Sequence, residues 1–197
     1  MAKGTPIRKL KSSSKAGPGI KLDEEKMREL VLLLARRSED DPNFGGIKLN
    51  KLLFYADFLA YLKLGEPITG AEYFALPNGP APRHKVGLWE KWKKAGDIAV
   101  RKQSSGFEND REVTLALREP DLSKFTPEEV DLVYKVLRFC RDLTGNDLSF
   151  ITHMFPGWRL RRERETIPYS IAFVSSRKPT GEEIKRGLEV EASLAAV

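Results

Sequence analysis

The 197-residue sequence contains one cysteine and two histidines. A single thiol, Cys140, excludes an intrachain disulfide framework and suits a reducing compartment. The two histidines, in "PRHK" and "THMF", have no carboxylates at ligand spacing, so no metal site is assigned and no cofactor is expected. Signatures of nucleotide, hydrolase and redox chemistry are missing as well: there is no P-loop, no G-x-G-x-x-G after a strand, no G-x-S-x-G elbow and no C-x-x-C pair. No catalytic residue is assigned. Long apolar runs are also lacking. The longest, Leu30 to Ala35, falls far short of the roughly 20 residues that cross a bilayer. The opening "MAKGTPIRKL" has no apolar stretch of the kind found in signal peptides. The expectation is a cytoplasmic protein with no membrane contact.

Charge of one sign is scarce over most of the chain. The net charge is +6, yet residues 1–22 hold Lys3, Arg8, Lys9, Lys11, Lys15 and Lys21 and no acid. Of 34 basic residues, 28 therefore remain for residues 23–197, matching the 28 acids. The first 22 residues, rich in Ser, Gly and Lys, read as a disordered basic tail that reaches nucleic acid only through weak phosphate contacts. The domain proper is placed at residues 23–197.

Hydrophobic spacing predicts an α+β domain, mainly helical, with about six helices and a small antiparallel sheet or hairpin. Asp23 caps a helix running to Arg37, and Lys48 to Lys63 is the strongest helix of the chain. Tyr73 to Leu76 reads as a strand. Lys85 to Ala95 reads as a helix with Val86 and Trp89 on one side and Leu88 and Trp92 on another; both tryptophans are assigned to the core. Ile98–Val100 and Val113–Leu117 alternate like a hairpin across "SSGFEND". Thr126, Pro127 and Glu129 form a capping box for a helix whose stripe includes Cys140, with Gly145 as its left-handed stop. Asn146 is expected to cap a short helix through Ile151. "PGW" breaks that helix, "IPYSIAF" is extended, and Thr180 caps a last helix from Glu182 to Ala192.

Within this frame a few residues stand out. Asp57 lies inside the apolar helix "KLLFYADFLAYLK", where an unpaired carboxylate is costly; a structural tether to fixed donors is the expected role. His153 sits beside a Pro-Gly turn and a Trp, as a group that orders the turn. Arg159, Arg161, Arg162 and Arg164 alternate with acids, the pattern of a solvated face with i,i+4 pairs. "PNGPAP" has turn chemistry throughout. Its prolines lack the N–H groups of an anion nest, so it reads as a rigid turn that redirects the chain and frames an interaction surface.

The stretch "KLNKLLFYADFLAYLKLGEPITGAEYFALPNGPAPR" resembles the Panacea antitoxin domain, the SocA-like family often encoded beside prophage genes. The matching pieces are Lys48–Phe58, Gly65–Gly70, Tyr73 and Gly79–Pro82. "THMFPGW" and "IPYSIAF" resemble two later blocks of the same family, with Thr152 in place of a usual Ser and Met154-Phe155 in place of common polar residues. The resemblance implies no catalytic activity and a role in phage-linked toxin–antitoxin systems, neutralising a cognate toxin protein by direct binding. It places Lys51, Tyr55, Asp57, Gly79, Pro80, His153, Pro156, Gly157 and Tyr169 in the shared scaffold. Large groups beside turns are the candidate toxin contacts: Tyr73, Phe155 and Trp158, with Asn78 and Arg159 as polar partners. Three alternatives stand beside this reading: an adaptor that delivers the toxin to a protease, a winged-helix-like nucleic-acid binder built from helices followed by a hairpin wing, and an enzyme using Asp57 and His153.

Overall fold

The structure, a computed structural model, describes residues 19–103, 111–174 and 179–195. Most of the expected tail, and the whole "SSGFEND" loop, lie outside the described residues. Among those described, six α-helices of ten or more residues and one single-turn helix accompany two small antiparallel sheets.

Glu24–Arg37 (α1) starts where Asp23 accepts the Lys26 N–H at 2.9 Å, with acids in its first turn and arginines in its last, each favoured by the helix dipole. Leu30 to Ala35 are all buried, so this helix is enclosed on more than one side. Gly46–Leu64 (α2) follows and ends at Gly65, whose φ of 87° is the left-handed stop that glycine adopts without penalty. Helix α2 is the centre of the molecule: α1, Pro127–Cys140 (α4) and Gly145–Met154 (α5) all pack against it. Ile20 and Leu22, the last residues of the expected tail, are half-buried against the same core.

Tyr73–Leu76 (β1) pairs antiparallel with Gly79–Pro82 (β2) on one side and Thr166–Ile167 (β5) on the other. This corrects the reading of "PNGPAP" as a turn throughout. Only Pro77 and Asn78 form the loop; Pro80 and Pro82 lie within β2, opposite Ala75 and Tyr73. Strand β2 is at the sheet's edge, where a missing N–H breaks no second ladder.

Lys85–Ala95 (α3) buries Leu88, Trp89 and Trp92, whereas Val86, expected beside Trp89, faces solvent. Ile98–Gln103 (β3) and Arg111–Ala116 (β4) form the second sheet. Val113 points inward as expected, but Leu117 is exposed and Thr114 and Ala116 are buried. Both faces of the ribbon are covered: α1 packs on β4, and Trp89 of α3 donates from Nε1 to Thr114 Oγ1 at 3.1 Å.

The Thr126–Glu129 capping box opens α4 as expected. Gly145 is not the stop of α4, which ends at Cys140. It is the first residue of α5, whose cap is Thr144, not Asn146, in a second capping box with Asp147. The Thr-x-x-Asp spacing outcompetes the glycine signal. Pro156–Arg159 (α6) is a helical turn with Pro156 at its first position. "IPYSIAF" is extended only at its start; Tyr169–Phe173 forms a 3-10 helix. Gly181–Ala195 (α7) is the last helix, with Thr180 and Glu183 capping as expected.

One buried ion cluster ties α1 to the far end of β4. Glu29, 2% exposed, accepts Arg118 Nη1 and Nη2 at 2.8 and 2.6 Å, the Asp121 N–H at 2.8 Å and Arg28 Nε at 3.1 Å. Arg118 Nε also donates to Asp97 Oδ1 at 2.6 Å. Burial pushes the Glu29 carboxyl up, but Arg118, the Asp121 amide and Arg28 together outweigh it and hold it at about 2. A depressed folded value gives stability that is present above the ordinary pKa of 4.5 and is lost as pH falls from there toward 2. Arg118→Ala is expected to cost about 2–3 kcal/mol in urea unfolding at pH 7, because Glu29 keeps its burial and loses its main partner. The same variant should lose much of the wild type's stability change between pH 5 and 3; an unchanged acid limb would show that Glu29 does not carry it.

Candidate functional site

The buried face of α2 places three charged side chains inside the protein, each held by a different distant segment. Asp57 is fully buried. It accepts the Thr69 N–H at 2.7 Å, Thr69 Oγ1 at 2.6 Å and Tyr73 Oη at 2.8 Å. Burial pushes its carboxyl up to about 6 against the pull of these donors, which leaves a carboxylate at neutral pH. Asp57 thereby fixes the "PITG" loop and the first residue of β1. Tyr169 adds a bond from its hydroxyl to the Ala71 carbonyl at 2.6 Å. Tyr73, expected as a surface anchor, is 1% exposed and is an internal partner of Asp57. The strand alternation that makes β1 also turns this ring inward, against Phe54 and Phe58.

Lys48 and Lys51 sit in the first and second turns of α2, both 1% exposed. Lys48 Nζ donates to the carbonyls of Arg141 and Leu143 at 3.0 and 2.7 Å and pairs with Asp41 at 2.6 Å. It thus closes the end of α4, a role that nothing in its own neighbourhood of the sequence signals. Lys51 Nζ donates to the carbonyls of Asn78, in the hairpin loop, and Pro80, the second residue of β2. Burial, with some repulsion from Lys85, pulls the Lys51 amine down to about 7. Ser149 Oγ of α5 donates to the same Asn78 carbonyl at 3.0 Å. Gly79 has φ of 91°, and a Cβ there would lie 2.5 Å from Thr152 Oγ1 and 2.7 Å from Lys51 Nζ. Glycine is therefore required twice, by the backbone and by the lysine. Pro80, buried beside it, presents its carbonyl to Lys51.

The "HMFPGWR" corner grips the other side of the hairpin. Trp158 Nε1 donates to the Leu76 carbonyl at 2.9 Å, and the His153 ring stacks on the indole with centroids 3.8 Å apart. Phe155 turns toward Phe54 and Phe58, half-buried. A Cβ at Gly157 would collide with the Phe155 ring and with Ile171, so this turn closes only around glycine. Tyr55 is half-buried against Phe139, its hydroxyl enclosed, and burial holds it as a neutral phenol. Cys140 is fully buried, its thiol pushed up to about 12 by burial, as expected of a core residue.

Of the five expected contact residues, Asn78 and Arg159 are exposed, Phe155 and Trp158 are half-buried, and Tyr73 is internal. Asp57 and His153 have separate partners and share no contact. The arginine run forms one i,i+4 pair, Arg161 with Glu165 at 3.1 Å, but beyond Arg159, which closes α6, it lies in turns rather than on a helix. Phe150, given no role by the sequence, and Met154, marked there only as an apolar replacement, lie one turn apart on α5 and are 68% and 59% exposed. The mounting of α5 on α2 through Leu148 and Thr152 shows which face is left outside.

Two outcomes follow for the clamp. Gly79→Ala is expected to cost about 2 kcal/mol or more in chemical unfolding, from the left-handed φ alone before the clash is added. Between pH 7 and 10.5 the unfolded chain holds a proton on Lys51 that the folded protein has released, so this group makes stability rise with pH across that window. Lys51→Met should remove roughly 2 kcal/mol of the wild type's gain between pH 7 and 9. Equal pH slopes for the two proteins would contradict a neutral, buried amine.

A family model described as Antitoxin SocA-like, Panacea domain, matches residues 49–159, the span from α2 to α6 that holds the clamp, the hairpin and the "PGW" turn. No curated protein and no solved structure matches the chain. Since the match covers more than half of its residues, the chain belongs to the SocA-like antitoxin family and carries a Panacea domain.

Proposed function

We propose that this protein neutralises a cognate toxin protein by direct contact through the face formed by the hairpin loop and the α5–α6 corner. Family membership supports an antitoxin role in general. The observation that carries the finer reading is the loop at Pro77-Asn78, exposed yet fixed. Its carbonyl is held by Lys51 and Ser149, and its preceding residue by Trp158. Beside it, in chain order from Ser149, stand exposed Phe150 and Met154 and then Arg159 and Leu160.

Two physical arguments favour this face. A loop ordered before its partner arrives loses little conformational freedom on binding. Large apolar side chains clustered at the surface, rimmed by a cation and an amide, match the anatomy of interface anchors. A standard interface buries about 1,600 Å², and the hairpin loop with the exposed faces of α5 and α6 offers a continuous start for one.

The test is co-expression with the product of the neighbouring reading frame, scored by growth. Phe150→Asp combined with Met154→Asp, and separately Arg159→Glu, should lose neutralisation by tenfold or more in antitoxin dose while leaving the melting temperature within about 3 °C of wild type. Val86→Asp, on α3, serves as the control and should neutralise normally. Full neutralisation by the folded double variant would rule this face out.

A further inference from the structure

Among the described residues, two apolar surfaces lack a cover. The first is a groove of about 440 Å³ between α2 and α4, lined by Tyr55, Phe58, Leu62, Phe139, Phe155 and Ala172 among others. Leu62 and Phe139 are 42% and 60% exposed along it. The second is α7. Ile184, Leu188 and Ala192 recur every four residues on that helix, and all three are exposed, as are residues 181–189 throughout. A 15-residue helix in water is marginal, more so with Gly181 and Gly187 in it, and helices of this length are normally held by packing of their apolar stripe.

We infer that this chain pairs with a second copy of itself by exchanging α7, each helix entering the α2–α4 groove of the other copy. Four observations support the match. The groove takes an amphipathic helix by its shape and apolar walls, the helix-in-groove mode of recognition. Residues 181–195 carry four glutamates against Lys185 and Arg186, and the one cation on the groove wall, Lys135, is exposed beside its own i,i+4 partner Asp131. Six residues separate Val174 from Gly181, a reach of about 25 Å at full extension. The chain leaves the groove wall at Ala172 and yet α7 stands clear with its stripe bare, which favours the groove of a neighbour over its own. Finally, a two-fold exchange makes the contact twice, so each helix–groove contact needs only about 800 Å² to reach the 1,600 Å² of a standard interface. This pairing is independent of the toxin-binding reading; of the expected toxin contacts, Phe155 alone also lines the groove.

The test uses the purified full-length chain without any toxin. Light scattering after size exclusion should give a two-chain mass for the wild type and for Val86→Asp, and a one-chain mass for Leu188→Asp and for Phe139→Asp at the same concentration. Both substituted side chains are exposed, so the circular dichroism of the body should be kept. In the second arm, Leu62→Cys and Leu188→Cys are combined and oxidised. Disulfides that join two chains support the exchange. A one-chain mass for the wild type up to millimolar concentration overturns it. So does a Leu62–Leu188 disulfide confined to one chain, or a two-chain mass that survives both aspartates.

Discussion

A lysine amine buried on a helix otherwise surrounded by hydrocarbon is costly unless its N–H groups find acceptors, and α2 meets that demand with main-chain carbonyls from distant parts of the chain. Lys51 reaches the hairpin through Asn78 and Pro80; Lys48, one turn earlier, reaches the end of α4 through Arg141 and Leu143. Asp57 applies the complementary solution, collecting the Thr69 amide and two hydroxyls. Three ionisable side chains on one helix thus tie three irregular segments to a regular element. Loops have no ladder of their own to hold them, and here the side chains of α2 supply the missing bonds. The hairpin loop, the end of α4 and the loop before β1 take their places from these attachments.

The same attachments explain which parts of the molecule were legible in its sequence. Local signals were read correctly: Asp23 and Thr126 cap helices, Pro127 opens one, and the apolar period of Lys48–Lys63 marks the central helix. Where two local signals competed, the weaker was chosen. Gly145 looked like a stop, but Thr144 and Asp147 three residues apart make a cap whose two reciprocal bonds decide the outcome. Pro80 and Pro82 looked like punctuation because the sequence does not reveal that β2 is an edge strand. Tyr169–Phe173 looked extended because its aromatic content suits a strand, while its packing on α2 favours a tight helix.

The candidate site was legible as a set of residues and not as an arrangement. The resemblance to the antitoxin family brought Lys51, Gly79, His153 and Trp158 together on one page without saying that the lysine holds the loop before the glycine, or that the histidine covers the indole. Tyr73 was placed on the wrong side of its own strand, because its burial depends on Asp57, sixteen residues earlier. The pairing of Phe150 with Met154 on one exposed face was not legible for the opposite reason: their exposure is decided by how α5 sits on α2, through contacts made by other residues. Burial is a property of the assembled fold, and single-chain patterns capture it only when an element has one obvious face.

The clamp on the hairpin takes hold of the peptide group of Asn78 and leaves its side chain alone. Lys51 and Ser149 both bond to the carbonyl oxygen, which every amino acid possesses. Residue 78 is thus a fingertip on a fixed finger: its chemistry can be exchanged while the joint beneath it stays set. Such a division lets the contact surface vary at the tip while the grip of the hand stays untouched.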